Sequence, residues 1–180
     1  MSAFLEDHIE QAGIETLKSL GWQYLPTDAV APDGSAPQRR SYSDVILLPR
    51  LEKAARAINP NIPPDVVDDA LRQVLVSQLP SLVEENRRIH RLLTEGIGVE
   101  YRGDGGRLVN ARVWLIDFDN IDQNDWLVLN QFTVVHARHN RRPDVVLFIN
   151  GLPVAVLELK NPGSEDADLC LLYTSDAADE

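Results

Sequence analysis

The chain has 180 residues, 44% of them hydrophobic, and a formal charge of -11, which suits one soluble domain with a sizeable core. Its acidic start "MSAFLEDHIEQAGIETL" is unlike a signal peptide and no apolar run approaches the roughly 18 residues of a membrane span, so a cytoplasmic protein with no membrane partner is expected. A single cysteine, Cys170, excludes an internal disulfide and a cysteine-based zinc site; the negative balance argues against a freestanding nucleic-acid binder, because phosphate neutralisation supplies most non-specific affinity.

Taken in chain order, Phe4, Leu5, Ile9, Ile14, Leu17 and Leu20 recur at helical spacing, with Ser2 as a candidate N-cap and Gly21 just past the end. "PTDAVAPDGSAPQRRSYS" (26–43) has no periodicity and reads as a long surface loop. Helical patterns follow at 49–58, 64–79 and 81–95, punctuated by "NPNIPP" and Pro80 and stopped by Gly96, so 44–96 is a helical segment. From 97 to 163 the period changes to two. "GVEYR" (98–102), "ARVWLIDF" (111–118), "WLVLNQFTVVH" (126–136), "VVLFI" (145–149) and "VAVLELK" (154–160) predict five strands, with "GDGG" (103–106) as a hairpin turn between the first two. Helices followed by strands predict a mixed α/β (α+β) fold, with 1–169 as one domain and 97–163 as its strand-rich core. The closing run "CLLYTSDAADE" (170–180) breaks the pattern. Its first ten residues resemble a translated transposon-end adapter of short-read sequencing libraries; the run is set apart from the fold, and the natural protein is expected to continue.

The last two strands pose the chemical question. "VVLFI" and "VAVLEL" read as buried and flank "NGLP", a strong hairpin signal because Asn-Gly tolerates positive φ. Yet Asp144, Glu158 and Lys160 sit at their ends. A strict two-residue loop places Asp144 opposite Leu157 and turns Glu158 away; a three-residue loop, or an equivalent bulge, brings Asp144 opposite Glu158. Two carboxylates facing each other repel unless a cation lies between them or one is protonated. Hard oxygen ligands in an open arrangement suit Mg²⁺, with Lys160 beside a phosphate, which is the donor set of metal-assisted phosphodiester hydrolysis. The plainer alternative is an exposed ion pair at a strand end.

"RPDVVLFINGLPVAVLELKNP" (142–162) closely resembles the nuclease motif of the R (restriction) subunit of type I restriction-modification enzymes, in the PD-(D/E)xK nuclease superfamily. "FLEDHIEQAGIETLKSLGWQYL", "LEKAARAINPNIP", "ENRRIHRLLTEGIGVEY" and "VWLIDFDNIDQNDWLVLNQFTV" agree in order, so the resemblance covers 3–163. It implies a restriction-endonuclease-like core flanked by N-terminal helices, Asp144 and Glu158 as Mg²⁺ ligands and Lys160 completing the catalytic set. It also implies a further acid on the first helix, for which Glu6 is preferred over Glu10 and Glu15. The partners implied are duplex DNA and the methylation (M) and specificity (S) subunits. ATP would belong to a motor region outside this chain, which has no "GxxxxGK[ST]" loop, and the family's downstream Gln-x-x-x-Tyr element does not follow Lys160.

Several other residues have a plainer reading beside a functional one. In "HARHNRRPD" (136–144), Arg138, Arg141 and Arg142 are candidate phosphate contacts, with a solvated loop as the alternative. "RRIHR" (87–91) reads as a solvated helix face, Asp117 and Asp119 as turn-shaping residues, and Trp22, Trp114 and Trp126 as packing. Two other functions compete with the nuclease: a non-catalytic docking module, or a truncated relic, joining the motor to the other subunits, and a stand-alone junction resolvase. Same-face placement of Asp144, Glu158 and Lys160 favours the nuclease.

Overall fold

A computed structural model describes residues 2–136 and 139–159, without the side chains of 2–6 and 104. Among the described residues the sheet at its centre has four strands: β1 (Gln23–Leu25), β4 (Trp126–Asn130), β7 (Val145–Ile149) and β8 (Leu152–Leu157), in that spatial order. β1 runs parallel to β4, and the other neighbours are antiparallel, so the sheet is mixed. Alternation sorts the middle strands onto two faces. Leu127, Leu129, Val146 and Phe148 point to one side, where they meet Val30, Leu47 and Phe132. Val128 and Val145 point to the other, against Ile14 of the first helix, α1 (Ser2–Ser19).

Gly21 ends α1 as the sequence predicts. With φ at +94° it lets its own N–H reach Lys18 O and the Trp22 N–H reach Leu17 O, the paired bonds of a left-handed helix terminus. Trp22 then packs edge-on to Trp126 at 4.9 Å. The Ser2 position lies inside the helix.

Between β1 and β4 the chain builds a second core. Helices α3 (Leu48–Ile58), α4 (Pro64–Leu75) and α5 (Leu82–Glu95) pack with β2 (Ile97–Arg102) and β3 (Leu108–Val113) around Leu51, Ala55, Val67, Leu71, Ile97, Val113 and Leu115. β2 and β3 form their own hairpin across the expected glycine turn. The fourth helix stops four residues short of the expected 79, at extended Val76, before the Pro80 break. Arg88 closes the joint that follows, with two bonds to Glu85 and one to Gln73 O at 2.7 Å. Thus Arg88 is half-buried and paired, whereas Arg87, His90 and Arg91 form the expected solvated face.

Three more expectations are corrected. The 26–43 stretch is not simply a surface loop: α2 (Thr27–Val30) forms in it, and Val30, Ala31 and Arg39 are buried. Arg39 stacks over Phe132 at 4.0 Å and donates to Thr133 O, so an arginine that reads as solvated covers the core. The 126–136 run is broken at Gln131, whose φ of +51° turns the chain out of β4; Val134–His136 (β5) then pairs with His139–Arg141 (β6) in a small ribbon. The 111–118 strand ends at Val113, because Asn59 takes both backbone groups of Trp114 out of the ladder.

β8 is a further correction of substance: it reads as buried but among the described strands it has β7 as its one neighbour, with Val156 58% exposed. One neighbour covers one side only. The β7–β8 turn itself is the reverse case. Asn150 (φ +53°) and Gly151 (φ +80°) make the two-residue turn, and Asn150 is fully buried. Its amide donates to Leu115 O and Asn124 Oδ1 at 2.8 Å each, while its Oδ1 accepts from Asp125 N–H at 2.7 Å. A Cβ on Gly151 would lie 2.5 Å from Leu47 O, so the turn fits against α3 only as glycine.

Asn150→Ala strands the buried Leu115 carbonyl and the half-buried Asp125 N–H, while Asn124 Oδ1 keeps the Asp117 N–H, and a loss of about 2–4 kcal/mol in urea denaturation is expected. A pH test follows from the α4–α5 joint. Two-bond contact with Arg88, helped by the Gln78 and Leu79 N–H groups, pulls Glu85 down to about 2 from 4.5. A depressed carboxylate stabilises the fold above its ordinary value and ceases to as pH falls. Stability is therefore expected to drop between about pH 4.5 and 2 more steeply in the parent chain than in Glu85→Gln, measured by urea midpoints across that window.

Candidate metal site at the end of the central sheet

The hairpin register decides where the acids lie. From the turn, Ile149 faces Leu152 and Phe148 faces Pro153, the pairing of a strict two-residue loop. A bulge then leaves Val154 unpaired, and Leu147 faces Ala155, Val146 faces Val156 and Val145 faces Leu157. Asp144 and Glu158 are the next residues outward on the two strands. The register beyond the bulge is that of the three-residue alternative, reached by the equivalent route. Asp144 Oδ2 accepts from the Leu159 N–H at 2.7 Å, which ties its carboxylate to the backbone just past Glu158.

The other oxygen of Asp144 faces Gln131, whose side-chain amide lies 3.3 Å from Oδ1. The same nitrogen donates to Glu10 Oε2 at 2.6 Å, and Asn130 Nδ2 donates to Glu10 Oε1 at 2.8 Å. Asn130 is held in turn: the Tyr24 hydroxyl donates to its Oδ1 at 3.1 Å, and the Thr27 hydroxyl to its carbonyl. Burial, then the nearby Glu10 charge, pushes the Tyr24 phenol above its ordinary value, so it remains a donor.

Glu10 is half-buried here for a simple reason. Ile14, one turn later on α1, is buried against Val128 and Val145, and residues four apart share a helix face. Glu10 therefore lands over the end of β4. Glu15 instead faces out and pairs with Lys18 at 3.0 Å. The side chain of Glu6, the preferred acid in the sequence, lies outside the described part, as do Lys160 and Arg138. Glu158, Arg141 and Arg142 are exposed. Asp117 shapes a turn by accepting the Asp119 and Asn120 N–H groups. Among the described residues no group of three or more His, Cys, Asp or Glu side chains is placed to hold a metal ion. Glu10 and Asp144 thus meet on the Gln131 amide nitrogen as a pair of hydrogen-bonded carboxylates at the end of the sheet.

Sequence reasoning missed Asn130 and Gln131. Their signal was present in "WLVLNQF", where two amides end an otherwise buried run.

Residues 3–169 match the family described as the type I restriction enzyme R protein N terminus. The chain belongs to this family. Among its relatives is the type I restriction enzyme HindI endonuclease subunit of Haemophilus influenzae, 34% identical over 165 residues, which are 91% of this chain and 16% of that protein. A putative type I restriction enzyme endonuclease subunit of Methanocaldococcus jannaschii, MjaIXP, is 36% identical over 163 residues, 88% of this chain and 15% of that protein. The EcoprrI endonuclease subunit of Escherichia coli is 27% identical over 158 residues, 44% of its length. This R protein N terminus thus spans about one-sixth of the first two relatives. No described helix is long and apolar enough to cross a membrane.

The two α1 acids separate in a stability test. Glu10→Ala leaves the half-buried Asn130 amide without its acceptor and takes the shorter of two from Gln131, and is expected to cost about 1–2 kcal/mol, whereas Glu15→Ala stays within about 0.5 kcal/mol, both from urea denaturation.

Proposed function

We propose that this R protein N terminus is a Mg²⁺-dependent endonuclease domain that hydrolyses phosphodiester bonds of duplex DNA, within an enzyme whose ATP-driven motor and M and S subunits lie outside this chain. The observation that carries the reading is the placement of Asp144. Its carboxylate is held between Gln131 and the Leu159 N–H, beside Glu10, where the bulged hairpin brings Glu158 to the next position outward. Asp144 and Glu10 would hold the ion, with exposed Glu158 as the third carboxylate. When bound, Mg²⁺ supplies charge neutralisation at a phosphate and a more acidic water. Lys160 would stabilise charge developing on the phosphate. Arg141 and Arg142 are exposed next to Asp144 in sequence and would meet neighbouring phosphates.

A docking role has support of its own. Leu75, Val76, Leu79, Leu82 and Val83 are exposed together around the α4–α5 joint, Leu82 by 79%. Such an apolar run suits contact with another part of a larger assembly.

The test is plasmid nicking in Mg²⁺ by an R subunit carrying this domain. Asp144→Ala, Glu158→Ala and Lys160→Ala are each expected to lower the rate by about 100-fold or more. Unchanged nicking in Asp144→Ala and Lys160→Ala would sink the catalytic reading and leave docking in its place.

A further inference from the structure

Gln131 has three features that packing alone does not require. It is a non-glycine residue at φ +51°, a conformation that an unbranched side chain adopts only at some cost. Its backbone N–H donates to the Asp144 carbonyl at 2.8 Å, which fixes it to the strand that carries the acid. Its side-chain amide reaches back to two carboxylates from different parts of the chain, Glu10 at 2.6 Å and Asp144 at 3.3 Å.

The surroundings hold this conformation from behind. Phe132, the next residue, is buried between Phe148, edge-on at 5.3 Å, and the Arg39 guanidinium at 4.0 Å. Arg39 also donates to Thr133 O at 2.8 Å, and the Val135 N–H to Tyr42 O at 3.0 Å. The turn out of β4 is thus clamped at 132–135, and Gln131 takes up the left-handed angle that the clamp leaves.

We propose that Gln131 is a positioning residue for the ion-holding carboxylates. Its NH₂ group offers one proton to each acid, so both point toward a single nitrogen although their charges repel. A divalent cation arriving there meets a pair already gathered, and carboxylates orientated by hydrogen bonds of this kind hold metal more tightly. The inference rests on the reading of Glu10 and Asp144 as ion ligands.

The experiment measures Mn²⁺ binding to the 180-residue chain by electron paramagnetic resonance, alongside thermal melting without metal. Mn²⁺ shares the oxygen preference of Mg²⁺ and is directly visible. Gln131→Gly relieves the left-handed backbone but removes the amide; Gln131→Met removes the amide and keeps the bulk. Both are expected to weaken Mn²⁺ binding by about 10-fold, with Gln131→Gly melting no lower than the parent. If either variant binds at the parent's affinity, the amide is not what gathers the acids and the proposal falls. Asp144→Ala separates this failure from that of the underlying reading. Lost binding in Asp144→Ala with parental binding in Gln131→Gly overturns only the role of Gln131. Unchanged binding in Asp144→Ala, or none in the parent, overturns the ion-site reading and the Gln131 role with it.

Discussion

The candidate site depends on a turn buried at the far end of its hairpin. Asn150 carries no chemistry, yet it bonds Leu115, Asn124 and Asp125 at once and lies under α3, where only Gly151 fits beside it. A buried amide with all its partners in place cannot slide, because a one-residue slip would strand every group it satisfies. The turn therefore pins β7 and β8 at one end. The bulge at Val154 then shifts their pairing by one residue, and Asp144 is set beside the backbone that follows Glu158.

The other half of the site is pinned from the opposite face of the sheet. Ile14 fixes α1 on Val128 and Val145, which settles the height and rotation of Glu10. Tyr24, from a strand parallel to β4, orients Asn130, and Arg39 clamps the segment after Gln131. Four stretches far apart in the chain meet at the end of β4. Two amides and two carboxylates there form one hydrogen-bonded network. Val156 of β8 is exposed, and the α4–α5 joint presents an apolar run.

Much of this was legible in the residues. Asn-Gly declared the hairpin, period-two runs placed β7, and Gly21 and Gly96 marked helix ends. Loop arithmetic reduced the position of Asp144 to two alternatives. What failed did so for stated reasons. β8 has the composition of a buried strand, but composition does not say which strand has a single neighbour. Arg39 looks solvated in a run of polar residues, because nothing local announces that Phe132 lies 93 positions ahead to receive it. Asn59 ended a strand more than fifty residues away by bonding Trp114 from both sides.

Local patterns were enough for the kinds of element and the hairpin, since propensity and turn chemistry reside in neighbouring residues. The long 142–162 motif was enough for the family. Tertiary structure alone placed Glu10 rather than Glu15 over the end of β4, brought Asn130 and Gln131 to it, and selected the bulge over the longer loop. Those choices depend on which buried groups are satisfied when α1, β4 and the hairpin pack together, and that condition exists only once distant segments share one core.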